Sequence, residues 1–195
     1  MNEPRTPEYF ERLYTRDPDP WCFATSDYEH GKYAATLAAL PHPHYARAFE
    51  VGCSIGVLTR QLAARCTEVL AVDVAGAALR QAETRCADLP GVIFANMVIP
   101  GQWPAGTFDL MIYSEVIYYF SPEGRRDAAR RSVQSLRPGG AIMLVNWHGP
   151  IDDVGPIDSG GTGDASAEEF IAAVAPTLRP ILQQRAEKYR LDVLA

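Results

Sequence analysis

Apolar and polar positions alternate between two periods along most of the chain. Short apolar runs at 46–51 (ARAFEV), 69–72 (VLAV), 92–95 (VIFA), 108–113 (FDLMIY) and 141–147 (AIMLVNW) predict buried strands. Between them, 57–64 and 77–87 space their apolar residues for helices, the second placing Leu79, Ala82 and Cys86 on one face. A further helix is predicted over 122–136. Pro122 sits in its first turn, where a missing N–H costs nothing, and Arg137-Pro138-Gly139-Gly140 stops it. Strands of this kind alternating with helices predict an α/β fold, a parallel sheet covered on both faces. Right-handed crossovers make that sheet doubly wound.

Both ends depart from the rhythm. Near the C-terminus, Ser166-Ala-Glu-Glu169 resembles a capping box opening a helix to about Ala175, followed by strands at 180–188 and 189–194. So little chain separates those strands that they can pair only as an antiparallel hairpin. Ahead of the sheet, helices are predicted at 7–16 and about 27–40, the second opened by Ser26-Asp-Tyr-Glu29. They are joined by the turn Asp17-Pro-Asp-Pro-Trp21. Residues 1–45 read as a helical lid segment and 46–195 as the body of one compact domain. The Gly-rich stretch 149–163 is expected to be a surface loop or a lid.

Composition narrows the function. The 195 residues are 47% hydrophobic and 22% charged with a net charge of -6, ordinary for a globular domain and short of clustered cations. No nucleic-acid partner is therefore expected, and Arg125, Arg126, Arg130 and Arg131 read as a solvated helix face. The cysteines form no CxxC pair and have no His at ligand spacing, which predicts neutral thiols and no metal. With no apolar run near ~20 residues and no signal-peptide core at the N-terminus, a cytoplasmic protein without a membrane partner is expected.

The candidate chemistry lies at the ends of the first two strands. Gly52-Cys53-Ser54-Ile55-Gly56 lets backbone approach a ligand closely, but lacks the middle glycine of a dinucleotide fingerprint. Glu50, just ahead of it, would repel a pyrophosphate and suits a cationic amino group. Asp73 ends the second strand, 23 positions after Glu50, where an acid accepts from ribose hydroxyls.

With Asp19-Pro20-Trp21, Phe108-Asp-Leu110, Ser114-Glu-Val-Ile-Tyr-Tyr119 and Arg137-Pro-Gly-Gly140 added, the chain resembles the class I S-adenosylmethionine-dependent methyltransferases. More narrowly it resembles the NodS-type nodulation-factor N-methyltransferases, over about residues 17–147. The resemblance implies a Rossmann-like, mostly parallel seven-stranded sheet ending in an antiparallel hairpin. It implies S-adenosyl-L-methionine as cofactor and S-adenosyl-L-homocysteine as product. Glu50, Gly52, Cys53, Ser54 and Gly56 would then surround the methionine moiety, Asp73 and Val74 the ribose, and Ser114 and Glu115 would lie under the sulfonium, with Trp21 in a lid above. Two departures stand out. Where the family carries an acid for adenine, this chain reads Asn96-Met97-Val98, leaving Asn96 or the backbone N–H of Met97 or Val98. Ala75 replaces a Ser, removing a helix cap worth on the order of 1 kcal/mol.

Methyl transfer needs alignment and an unprotonated nucleophile. His148, after the fifth strand, is the candidate base. Glu115 would orient a cationic amine, and Tyr118 would hydrogen-bond or stack on the acceptor. The expected acceptor is a small-molecule amine, such as an amino sugar. An O-methyltransferase, a non-catalytic cofactor-binding protein and a nicotinamide-dependent oxidoreductase are the alternatives. Ser54 and Glu50 argue against the last.

Overall fold

The computed structural model describes residues 5–148 and 163–195. Its centre is a seven-stranded sheet: β1 (Tyr45–Val51), β2 (Cys66–Asp73), β3 (Val92–Asn96), β4 (Phe108–Ser114), β5 (Leu136–Trp147), β6 (Pro180–Arg185) and β7 (Tyr189–Leu194). The spatial order is β3-β2-β1-β4-β5-β7-β6. The first five strands are parallel, and β7 runs antiparallel between β5 and β6. The doubly wound sheet and its closing hairpin are thus as expected. The order reverses between β1 and β4, so the crevice beyond their carboxyl ends is the place for a ligand.

Alternation along the strands sorts the core into two layers. Ala48, Ala71, Ile112 and Met143 face one side, under α1 (Pro7–Arg16), α2 (Asp27–Ala38), α3 (Val57–Leu62) and α4 (Gly76–Arg85). Phe49, Val72, Met111 and Tyr113 face the other, under α5 (Pro122–Ser135) and α6 (Gly163–Val174). Tyr14 of α1, Tyr33 of α2 and Leu40 belong to the first layer, so the N-terminal segment packs on the same core as the body. Leu79, Ala82 and Cys86 are buried together as their spacing predicted.

Local chemistry explains most boundaries. Thr6, Ser26 and Ser121 each cap a helix by accepting a backbone N–H with the side chain. The 17–25 turn is organised by Asp19, whose Oδ1 accepts from the Phe23 N–H (2.8 Å) and whose Oδ2 accepts from the Ala24 N–H (2.9 Å). α3 is short because a 3-10 turn at Ala63–Arg65 leads directly into β2.

Three expectations are corrected. Ser166 does not open α6; the helix begins at Gly163, and Ser166 is buried inside it. Arg137-Pro-Gly-Gly140 does not precede β5 but lies within it, with Gly139 at φ +77 where the register to β4 shifts. Arg125 is not on a solvated face. It is 1% exposed, and its guanidinium donates to Glu169 Oε2 (2.7 Å) and the Phe120 carbonyl (2.7 Å), tying α5 to α6. The loop expectation for 149–163 lies outside the described residues except at Gly163, which belongs to α6. Among the described residues no helix is long and apolar enough to cross a membrane.

Candidate active site

A cavity of about 660 Å³ lies across the carboxyl ends of β1 to β5, within the usual size for a small-molecule site. Its floor is loop backbone after the strands: Gly52 and Ser54 beyond β1, Asp73 and Val74 beyond β2, Met97 and Val98 beyond β3, Ser114 and Glu115 beyond β4. Its roof is aromatic and comes from the N-terminal segment, with Phe10, Tyr14, Trp21, Phe23 and Tyr28. A smaller pocket of about 30 Å³ opens beneath the Gly52–Ser54 loop, with Glu50, Cys53 and Lys32 in its wall.

The loop earns its shape from backbone that ordinary side chains resist. Gly52, Ser54 and Gly56 all have positive φ (+77, 50 and +77). A Cβ on Gly52 would meet Val116 Cγ2 at 3.0 Å. One on Gly56 would meet Ala82 Cβ at 2.9 Å, so Gly56 is kept for helix packing and does not line the cavity. Asp73 holds the loop from below: Oδ2 accepts the Ser54 N–H (2.9 Å) and Oδ1 the Ala75 N–H (2.9 Å). Burial raises the Asp73 carboxyl, against the pull of these N–H groups. The Tyr14 hydroxyl hydrogen-bonds Ser54 Oγ, pinning the roof to the loop.

Each predicted residue has a definite place. Trp21, Gly52, Ser54, Asp73, Val74, Met97, Val98, Ser114, Glu115 and Tyr118 line the large cavity. Glu50 and Cys53 line only the small pocket, and Gly56, Asn96 and His148 line neither. Asn96 turns its Nδ2 to the Asp73 carbonyl (3.0 Å). The Met97 N–H donates to that same carbonyl (3.1 Å), and the Val98 N–H donates to Gln102 Oε1 (2.7 Å). The backbone donors expected for adenine are therefore already engaged. His148 is held by Nε2 against the Ala186 carbonyl (3.0 Å), at the turn of the closing hairpin. That contact takes the candidate base away from the cavity. The missing cap at Ala75 is replaced from a distance: Glu11 of α1 accepts the Ala77 N–H (2.9 Å).

Lys32, which the sequence reading passed over, sits at the centre of the acidic end. Its ammonium donates to Glu115 Oε1 (2.8 Å) and Glu29 Oε1 (3.1 Å) and is 3% exposed. Burial pulls Lys32 down, but Glu115 and Glu29 more than offset that and hold it above the ordinary lysine range, a fixed cation. Glu115, at φ 55, also takes the Trp147 N–H (2.7 Å) and the Tyr118 hydroxyl (3.0 Å) on Oε2. Burial pushes the Tyr118 phenol well up and Tyr119 to about 12, so neither is a base near neutrality. Glu50 is 2% exposed; burial pushes it up to about 7, and its Oε2 has no hydrogen-bond partner among the described residues.

Comparison with known proteins decides the family. The profile of Nodulation protein S (NodS) matches residues 8–180. The chain belongs to the NodS family. It is 30% identical over 137 residues to nodulation protein S of Bradyrhizobium diazoefficiens, covering 70% of this chain and 65% of that one. The chain thus spans less than two thirds of that NodS relative. Among solved structures, N-methyltransferase NodS from Bradyrhizobium japonicum WM9, in complex with S-adenosyl-l-homocysteine, superposes with a TM-score of 0.77 at 20% identity, covering 96% of this chain and 97% of that one. A second NodS structure from the same strain gives 0.71 at 26% identity, covering 86% and 95%. The mostly parallel seven-stranded sheet with its antiparallel end is the fold shared with these methyltransferases.

Proposed function

We propose that this NodS-family chain is an S-adenosylmethionine-dependent methyltransferase acting on a small-molecule amine. The observation that carries the reading is the cavity at the β1/β4 reversal, with carboxylates at its ends and glycine backbone between them. The fit to the cofactor rests on charge and space. Glu50 offers a buried, unpartnered carboxylate oxygen that suits an ammonium, and the narrow turn at Gly52 leaves no room for a side chain beside Val116. An NAD pyrophosphate would face Glu50 and Asp73 with no cation between them in that loop.

When bound, the cofactor supplies a methyl group already activated on a sulfonium. The protein's work is alignment and exclusion of water. Asp73, Met97 and Val98 lie on the β2/β3 side and Glu115 and Trp147 on the β4/β5 side, which supports reading the first side as the nucleoside end and the second as the acceptor end. Glu29 and Glu115 outnumber Lys32 there, so that end favours an acceptor that is cationic or donates hydrogen bonds. Tyr118, whose proton goes to Glu115, keeps its oxygen lone pairs for an acceptor N–H. On this reading the aromatic roof from the N-terminal segment, tied down by Tyr14 and Ser54, serves as the lid that keeps water from the reacting atoms. N-methylation, including of an amino sugar, is favoured over O-methylation by this acidic acceptor end and by the N-methyltransferase relatives.

The test is the thermal midpoint with S-adenosylhomocysteine, S-adenosylmethionine and NAD. At 100 times its dissociation constant a ligand adds about 2.7 kcal/mol, a shift of roughly 5–10 °C for a chain of this size. Shifts with the two adenosyl-sulfur ligands alone support the reading and justify an amine screen by mass increment. No shift, or one with NAD only, refutes it.

A further inference from the structure

Beyond β2 and β3 the wall of the large cavity gives a ring apolar sides to lie between. Met97, Val98, Ile99 and Phe120 line it, and Val98 is 44% exposed, apolar surface left uncovered in a wall. The polar groups of the same loop are turned to one another. Asn96 Nδ2 and the Met97 N–H both donate to the Asp73 carbonyl. The Asp73 carboxylate takes the Ser54 and Ala75 N–H groups. The Val98 N–H donates to Gln102 Oε1 (2.7 Å), and the Gln102 N–H returns a bond to the Val98 carbonyl (2.8 Å), so the 98–102 turn closes on itself. A purine is told from its analogues by the donors and acceptors on its edge. Adenine presents an amino donor beside the N1 acceptor; a 6-oxopurine of the same shape presents an acceptor beside an N1–H donor. Separating them takes a matching group in the wall, and a wall without one separates them weakly.

Resting on the methyltransferase reading above, we propose that this chain holds the base of its cofactor by the faces without reading its edge, and that Gln102 sets this scope by masking the Val98 N–H. A cofactor carrying a 6-oxopurine is then held as well as one carrying adenine. An edge atom that sought the Val98 N–H would first have to displace an amide oxygen already on it, exchanging one hydrogen bond for another. Gln102 acts through Val98 and is a specificity-determining residue outside the cavity wall.

Titration calorimetry on the full chain compares S-adenosylhomocysteine with S-inosylhomocysteine, its 6-oxo analogue. A wall that reads the edge would lose one hydrogen bond and set N–H against N–H, about 10- to 100-fold in affinity. The two ligands should instead bind within about fivefold of each other, and a wider gap overturns the proposal. Gln102→Ala tests the mask. Gln102 is exposed, and alanine keeps the backbone bond to the Val98 carbonyl while releasing the Val98 N–H. At position 1 or position 6 of the ring, that donor meets an acceptor on one base and a donor on the other. The ratio of the two affinities should therefore move by about fivefold or more. A general loosening of the loop weakens both ligands alike and leaves the ratio in place, so an unmoved ratio overturns the role given to Gln102. If the unmodified protein binds neither ligand, it is the methyltransferase reading that fails.

Discussion

Glu50→Gln is the most informative single change, because it separates the cost of a buried charge from everything else at that position. The carboxyl is fully enclosed, and burial lifts it from 4.5 to about 7. In the unfolded chain it ionises near 4.5, so between 4.5 and 7 the folded protein holds a proton that the unfolded chain has lost. The group's contribution to stability is therefore intact below about 4.5 and is lost as pH rises through 7. At 1.36 kcal/mol per unit, a rise from 4.5 to about 7 amounts to roughly 3 kcal/mol. Glutamine has the same shape and does not titrate. The midpoint difference, variant minus parent, should grow by roughly 6–12 °C between pH 4.5 and pH 8, measured by calorimetry without ligand. The comparison cancels any pH-independent cost of burying the amide. Saturating S-adenosylhomocysteine should flatten the parent's dependence, since a bound ammonium compensates the ionised form. A midpoint difference constant across that range would falsify the reasoning.

Other consequences are simpler to state. Gly56→Ala should cost about 2–4 kcal/mol, from left-handed backbone and the 2.9 Å clash with Ala82, whereas Gly139→Ala, with the same φ of +77 but nothing within 4 Å, should cost only about 1 kcal/mol. Equal losses in chemical denaturation would remove the packing argument for Gly56. Glu11→Ala should cost about 1 kcal/mol and speed hydrogen exchange at the Ala77 amide, because α4 loses the cap that α1 provides; unchanged exchange there refutes that link. His148→Ala should leave the pH profile of methyl transfer in place and the rate within about threefold, because the imidazole is tied to the Ala186 carbonyl. A positioned base is worth about a hundredfold or more, so a loss of that size would return His148 to the chemistry.

How much of this was legible beforehand follows from the range of each interaction. The strands from 46 to 147, the hairpin, the cap at Ser26 and the helix start at Pro122 depend on residues a few positions apart, and period and turn chemistry expose them. The positions of Gly52, Asp73 and Ser114 were readable for the same reason, since each follows a strand and strand ends converge in a parallel sheet. The failures were also local guesses. Ser166 has the letters of a cap, yet the chain was already helical from Gly163, and Arg125 has the charge of a surface residue, yet α6 brought Glu169 over it.

What the amino-acid sequence determined alone was the fold class, the crevice and the residues at its strand ends. What only the tertiary structure decided was which side chains serve the crevice. Lys32 meets Glu115 across 83 positions, Glu11 caps Ala77 across 66, and Tyr14 reaches Ser54 across 40. His148, adjacent to a strand end, was turned away by a hairpin nearly 40 residues on. Backbone preference is set by near neighbours, but a buried charge takes whatever partner the packed chain delivers to it.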